Sequence, residues 1–84
     1  MAQSYPDVVG SQNWQDIIAI YPAIAARRVV VQAKGGTFNY IHFGGAVAPR
    51  PGDGLMLPSV ASANGTADHI WVRGDCRFAI MAED

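Results

Sequence analysis

The sequence predicts an all-β protein: a small antiparallel β-sandwich or partly open barrel of short strands with an extended N-terminal arm. Runs rich in β-branched and aromatic residues recur from residue 28 to residue 81, and segments rich in Gly and Pro separate them. Short, regularly spaced strands joined by such turns are typical of sandwiches and barrels. The chain has 84 residues, which allows one small domain. We divide it into an arm, residues 1–16, and a β domain, residues 17–84.

The arm is polar, and Pro6 and Gly10 interrupt any periodicity. It nevertheless contains apolar side chains, which a disordered tail normally lacks. We expect the arm to lie on a neighbouring subunit, with Trp14 inserted into a groove there, because tryptophan is a frequent interface hot spot. The candidate interface residues of the arm are Tyr5, Val8, Val9, Trp14 and Asp16.

Residues 17–21 are compatible with two structures. Asn13 is a potential N-cap for a short helix that Pro22 ends. A strand fits equally well, because β-branched and aromatic residues favour pleated surfaces. The sequence leaves both alternatives open.

Residues 28–32 and 37–43 are the next predicted strands. The turn at residues 34–36 contains two glycines, which accept positive φ without steric cost, so we expect a hairpin. Neither face of the strand at 37–43 is fully polar, and we expect both faces to be covered.

The rest of the chain is predicted as a loop at 44–54, a short strand at 55–57, a loop at 59–68, and strands at 69–73 and 76–81. Gly74 and Asp75 separate the last two strands, and a two-residue connection of this type predicts a second hairpin. Ile70 and Val72 share one face of the first of these strands, whereas Trp71 lies on the other.

The composition excludes several functional classes. Only 15% of the residues are charged and the net charge is −1, against about 25% charged in an average domain. Nucleic-acid binding depends on many cationic side chains, so we expect no nucleic-acid partner. We also expect no membrane span, because no apolar stretch approaches the ~20 residues required. The N-terminus lacks the features of a secretion signal, which favours assembly inside a cell.

No motif for catalysis, cofactor binding or metal binding is present. His42, His69 and Cys76 lack the spacing of metal-ligand sets, and the single cysteine has no recognisable catalytic partner. The tripeptide at 73–75 matches an adhesion motif and the one at 64–66 a glycosylation acceptor, but turn chemistry explains both. The sequence therefore predicts a protein that is not an enzyme and has no cofactor or metal.

The β domain carries a second group of candidates for an interface or a ligand surface: Arg28, Tyr40, Arg50, Asp53 and Trp71. Exposed aromatic rings beside the loop at 49–54 would form a surface on which sugars stack.

The sequence also resembles a group of small virion proteins of tailed phages. The resemblance runs from about residue 14 to residue 81, and it is carried by WQDI at 14–17, VVVQAKGG at 29–36, IHFGG at 41–45, AP at 48–49, DGL at 53–55 and HIWVR at 69–73. It implies a short all-β structural component attached to the capsid or the tail machinery, without catalytic residues.

The preferred functional hypothesis is a capsid decoration (cement) protein that stabilises the head lattice through its arm and its β domain. The expected partners are the major capsid protein and further copies of the chain. A trimer is favoured, because three-fold lattice points offer docking places and cyclic symmetry closes an assembly. The expected location is the virion, assembled in the cytoplasm of a bacterial host. The alternatives are a tail, baseplate or fibre-attachment component and, from another class, a carbohydrate- or receptor-binding module.

Overall fold

A computed structural model describes residues 3–36, 39–50, 54–58 and 61–83. It contains two four-stranded antiparallel sheets packed together, which confirms the predicted all-β sandwich. The elements, in chain order, are β1 Gln3–Val9, β2 Gln15–Asp16, α1 Ile17–Ile20, a 3-10 helix Pro22–Ile24, β3 Arg28–Ala33, β4 Tyr40–Phe43, β5 Leu55–Met56, β6 Ser62–Thr66, β7 Ile70–Arg73 and β8 Arg77–Glu83. None of the helices in the described ranges has the length and apolar character needed to cross a membrane.

The two sheets have the strand orders β1-β8-β3-β6 (sheet 1) and β2-β7-β4-β5 (sheet 2). The core lies between them, because alternate residues of each strand point inward. The largest fully buried side chains include Phe78, Val29, Val31, Ile41, Ile70 and Val72. Full burial of a side chain of this size contributes about 1.5–3 kcal/mol. The predicted alternation of β7 is confirmed, because Ile70 and Val72 are fully buried.

Both predicted hairpins are wrong, although their strands are correctly placed. β3 and β8 belong to sheet 1, whereas β4 and β7 belong to sheet 2. Each glycine-containing turn carries the chain across the sandwich, about 10 Å, instead of back along the same sheet. The buried Asn39 lies between the two turns and its Nδ2 donates to Gly35 O at 2.7 Å. Gly36 has a φ of +74° there, and a Cβ on it would lie 2.6 Å from Asn39 Oδ1.

The separate N-terminal arm is also corrected. Residues 3–9 form β1, an edge strand of sheet 1 that pairs with β8 from Gln3 to Val9. Val8 is buried in the core. The register shifts between Tyr5 and Val8, so Pro6 lies in an irregular part of an edge strand, where a missing N–H is tolerated. This part of the chain thus completes its own sheet.

Two further segments are settled or corrected by the structure. Residues 17–20 are helical, and the N-cap is Asp16 rather than Asn13. The segment expected as a loop at 59–68 contains strand β6, which pairs with β3 over five residues without irregularity. Strand β4 begins at Tyr40, and residues 37 and 38 of the expected strand lie outside the described residues.

Candidate interaction surfaces

The outer face of sheet 2 brings together the two aromatic candidates of the β domain. Trp71 lies opposite His42, and Tyr40 lies between Arg73 and Met56. Because Ile70, Val72 and Ile41 point inward, these neighbouring side chains point outward and are half-buried or exposed. The result is an aromatic outer surface on a regular sheet.

Trp71 is held in place by two contacts. Its Nε1 donates to Gly45 O at 2.9 Å, and its ring stacks on that of His69 with the centroids 6.4 Å apart. The Arg73 guanidinium lies 5.9 Å from the centroid of the Tyr40 ring. The outer face of sheet 2 is therefore a fixed surface with a cation beside its tyrosine.

Of the other three domain candidates, the structure assigns Arg28 to a different face. Arg28 lies on the opposite sheet, where its Nη2 donates to Asn64 Oδ1 at 3.3 Å. Arg50 is exposed in the loop after β4. Asp53 lies outside the described residues.

Trp14 contacts its own chain, and its expected place in a neighbouring subunit stays a prediction. It directly precedes β2, and its Cη2 lies 3.2 Å from the position that a Cβ on Gly54 would take. The ring thus extends over sheet 2 toward the residues next to β5. Its Nε1 is buried and has no hydrogen-bond partner.

Asp16 has a structural role that differs from the expected interface role. Its Oδ1 accepts from the backbone N–H of Ile18 at 3.0 Å and of Ile70 at 3.2 Å. Its Oδ2 lies 2.7 Å from His69 Nδ1. One carboxylate therefore caps α1 and joins it to the start of β7, and its side chain is only 11% exposed.

The remaining arm candidates are divided between the core and the surface. Tyr5 is half-buried and packs on Tyr21, with ring centroids 5.1 Å apart. Val8 is buried, whereas Val9 is 61% exposed. Of these three side chains, only that of Val9 is largely exposed and could contact a neighbouring subunit, as the sequence predicted.

The candidates for chemistry remain dispersed. Among the described residues, no group of three or more His, Cys, Asp or Glu side chains is arranged to hold a metal ion. Burial raises the pKa of the Cys76 thiol above its usual value of 9.0. Its thiolate, the nucleophilic form, is thus disfavoured.

The outer face of sheet 1 carries a shallow groove of about 210 Å³. Its apolar lining is supplied by Val30, Ala79, Ile80 and Met81. Asp7 lies at its margin and is paired with Lys34 at 2.8 Å. The groove is therefore largely uncharged.

Large apolar side chains are also exposed on several elements. They are 40–81% exposed and comprise Val9, Ile20, Val47, Leu55, Met56 and Met81. Leu55 and Met56 form the edge strand of sheet 2, and Val9 ends the edge strand of sheet 1. Apolar exposure is thus found at the margins of both sheets.

The β6 edge is a surface that lies where the sequence predicted a loop. Ser62, Asn64 and Thr66 are exposed, whereas Ala63 and Gly65 are half-buried. This is the period of a strand, but Thr66 is the one residue among them that favours strands. The alternation of small and polar residues was the available signal.

No family model, no curated protein and no solved structure matches this chain.

Proposed function

We propose that this chain is a structural protein that acts by assembling with other protein chains, and specifically a bacteriophage virion protein that decorates the capsid lattice. The observation that carries the proposal is the exposure of large apolar side chains on the margins of both sheets. A soluble monomer of this size normally surrounds such side chains with charge, whereas only 15% of this chain is charged. Exposed apolar surface of this kind is typical of protein interaction sites.

The distribution of these side chains favours more than one neighbour. Val9, Ile20 and Leu55 belong to three different elements, β1, α1 and β5. A lattice protein needs contacts on several sides, and many weak contacts acting together give strong retention. The resemblance to small virion proteins supplies the phage setting, and the trimer expected from three-fold lattice points stays a prediction.

The proposed mechanism is passive. Each copy occupies a position between capsid subunits, and its apolar side chains are buried against the major capsid protein or another copy. Bridging of this kind resists separation of the subunits without a chemical step. The fixed β-sandwich lowers the ordering cost of binding, because its strands are already in place.

The decisive experiment is the copy number in purified virions, measured by quantitative mass spectrometry. Hundreds of copies, removed together with the head fraction, support a decoration protein. A few copies that remain with isolated tails would instead support a tail or baseplate component. Absence of the chain from virions would overturn the proposal.

The contact surface is tested by co-sedimentation of the full chain with capsids that lack it. We expect the double substitution Leu55→Ser and Met56→Ser to reduce binding, because both side chains are exposed on β5. The control is Gln12→Ser, at an exposed polar position of the loop before β2. Deletion of residues 1–14 is unsuitable as a test, because it removes β1 from sheet 1.

A second candidate is a carbohydrate-binding module, favoured by the position of Tyr40 and Trp71 on one outer face. Aromatic rings on a rigid sheet provide flat apolar surfaces for sugar rings. A glycan array tests this function. Binding that is lost in Trp71→Ala but kept in Met81→Ala, on the other sheet, supports it, whereas binding unaffected by Trp71→Ala contradicts it.

A further inference from the structure

We propose that two copies of this chain pair through the outer edge of β6, as antiparallel strands related by a two-fold axis at Asn64. The inference rests on the proposed assembly function and names one of its contacts. It is carried by the difference between β6 and the other sheet edges, and by the self-complementary sequence of β6.

Three of the four sheet edges have features that prevent strand addition. β1 contains Pro6, a register shift and the charged Asp7, which pairs with Lys34 next to β3. β2 and β5 have two residues each, and β2 continues directly into α1. Natural sheets avoid edge-to-edge pairing by such prolines, bulges, charges and short strands.

β6 has none of these features. It is five residues long, contains no charge and no proline, and pairs with β3 in an uninterrupted register from Ser62 to Thr66. Within the described ranges, no strand pairs with its other side. An edge of this kind presents regularly spaced N–H and C=O groups to an incoming strand.

The sequence of β6 is complementary to itself when one copy is reversed. With the axis at Asn64, Ser62 faces Thr66 of the second copy, and Ala63 faces Gly65 of the second copy. Opposed hydroxyls hydrogen-bond across antiparallel strands. The exposed residues of both copies then lie on one face of the joined sheet, and the half-buried residues of both copies lie on the other. A shift of the register by one residue would place the exposed residues of one copy on the same face as the half-buried residues of the other.

Electrostatics also permits this pairing. Asn64 meets its own copy at the axis, and the nearest charge on this face is Arg28, whose Nη2 donates to Asn64 Oδ1. On β8, the residue in register with Arg28 is Glu83. No two like charges are opposed in the register.

The inner face of β6 is supported from within its own chain. A Cβ on Gly65 would lie 3.0 Å from the ring of Phe43, so this ring packs closely against the strand. Pairing at this edge joins the two copies of sheet 1 into one eight-stranded sheet. The contact is short, and we expect an equilibrium between monomer and dimer that depends on concentration.

The two-fold contact differs from the expected trimer. A ring of three copies requires each copy to present two different surfaces to its neighbours. The second edge of sheet 1, β1, is the one with the proline, the register shift and the charges. The features of sheet 1 therefore favour pairing of β6 with β6 of a second copy over pairing of β6 with β1 of a second copy.

A charge exchange at Asn64 tests the axis. Asn64→Asp places two carboxylates opposite each other in the dimer, and we expect self-association to weaken about tenfold or more. In the monomer this carboxylate lies beside Arg28, so folding is not penalised, whereas the cation of Asn64→Lys lies beside the Arg28 guanidinium and should lower the melting temperature of that variant. Asn64→Lys opposes two cations in the same way, whereas an equal mixture of the two variants opposes unlike charges and forms the mixed dimer.

The measurements are light scattering coupled to size exclusion over a series of concentrations, and native mass spectrometry of the mixture. Matched controls are Ser4→Asp and Ser4→Lys, at the exposed far end of the same cross-strand row, and we expect both to dimerise as the parent does. Circular dichroism and thermal melting confirm that all variants fold.

A parent that is monomeric at all concentrations, or trimeric, overturns the inference, as does a mixture that fails to form the mixed dimer. These outcomes are separate from the virion copy number. If the chain is abundant on capsids but the Asn64 variants associate as the parent does, the proposed function stands and the β6 contact fails. If the chain is absent from virions but the mixed dimer forms, the β6 contact stands and the proposed function fails.

Discussion

Asp16 is predicted to stabilise the fold and not to form an interface. Asp16→Ala removes the acceptor for the N–H groups of Ile18 and Ile70 and the partner of His69. Loss of an N-cap costs about 1 kcal/mol, and a buried N–H left unpaired costs about 1–3 kcal/mol. The expected loss in the free energy of unfolding is therefore about 2–4 kcal/mol.

This loss is large for a domain of this size. A chain of 84 residues has a total stability of about 4–13 kcal/mol. We expect the melting temperature of Asp16→Ala to fall by about 10–25 °C. The assay is urea unfolding followed by circular dichroism, with the melting temperature as a second measure.

The matched control is Asp16→Asn. Its side-chain oxygen still accepts from Ile18 and Ile70, and Asn is as good an N-cap as Asp. Only the charge beside His69 is lost, so we expect a change of about 1 kcal/mol or less. If Asp16→Asn destabilises as much as Asp16→Ala, or if Asp16→Ala leaves stability unchanged, the assignment of the capping role is wrong.

Three further predictions concern other parts of the sandwich. Phe78→Ala empties a fully buried core position and should cost about 3–5 kcal/mol, measured by urea unfolding; a cost below 1 kcal/mol would contradict the described core. Gly36→Ala should lower the free energy of unfolding more than Gly44→Ala in the same assay, because both residues have positive φ but only at Gly36 would a Cβ meet Asn39. Equal losses in the free energy of unfolding would show that the backbone strain of positive φ, and not the contact with Asn39, causes the effect. Cys76 should react with iodoacetamide more slowly than a free model thiol at neutral pH, because burial raises its pKa and so lowers its thiolate fraction; an equal or faster rate would refute this.

The strands that lie in the centre of a sheet could be predicted from the sequence. β3, β7 and β8 contain alternating apolar residues, and their buried positions Val31, Val72 and Phe78 follow that alternation. Burial between two sheets selects such residues at every second position, so the local pattern reports the structure directly.

The edges and the turns could not be predicted in the same way. β1 contains Pro6 and Asp7, and β6 contains small and polar residues, because an edge strand is stabilised by its single neighbour instead of by its own propensity. The turns at Gly36 and Gly74 are typical of hairpins, but a local turn signal does not specify whether the chain returns within a sheet or crosses to the other. That choice depends on long-range packing, here around the buried Asn39.

The same limit applied to the candidate surface. Trp71 and Tyr40 were recognisable as residues that favour surfaces, and β4 and β7 bring them to one face. Asp16 was named for its charge, but its partners Ile18 and Ile70 are backbone groups that no sequence pattern identifies. A carboxylate with such partners serves the fold.

The uneven placement of charge along the chain gains a structural meaning from the two sheets. Residues 54–67 contain no charged side chain, and this segment supplies β5 and β6, one edge strand of each sheet. Edge strands are the positions where a monomeric protein most needs charge to prevent association. The β1 edge retains such protection through Asp7 and Lys34, so the chain protects one edge of sheet 1 and leaves the other neutral. A low overall charge would leave both edges of the sheet neutral. The asymmetry between β1 and β6 therefore favours the explanation that β6 has a specific partner.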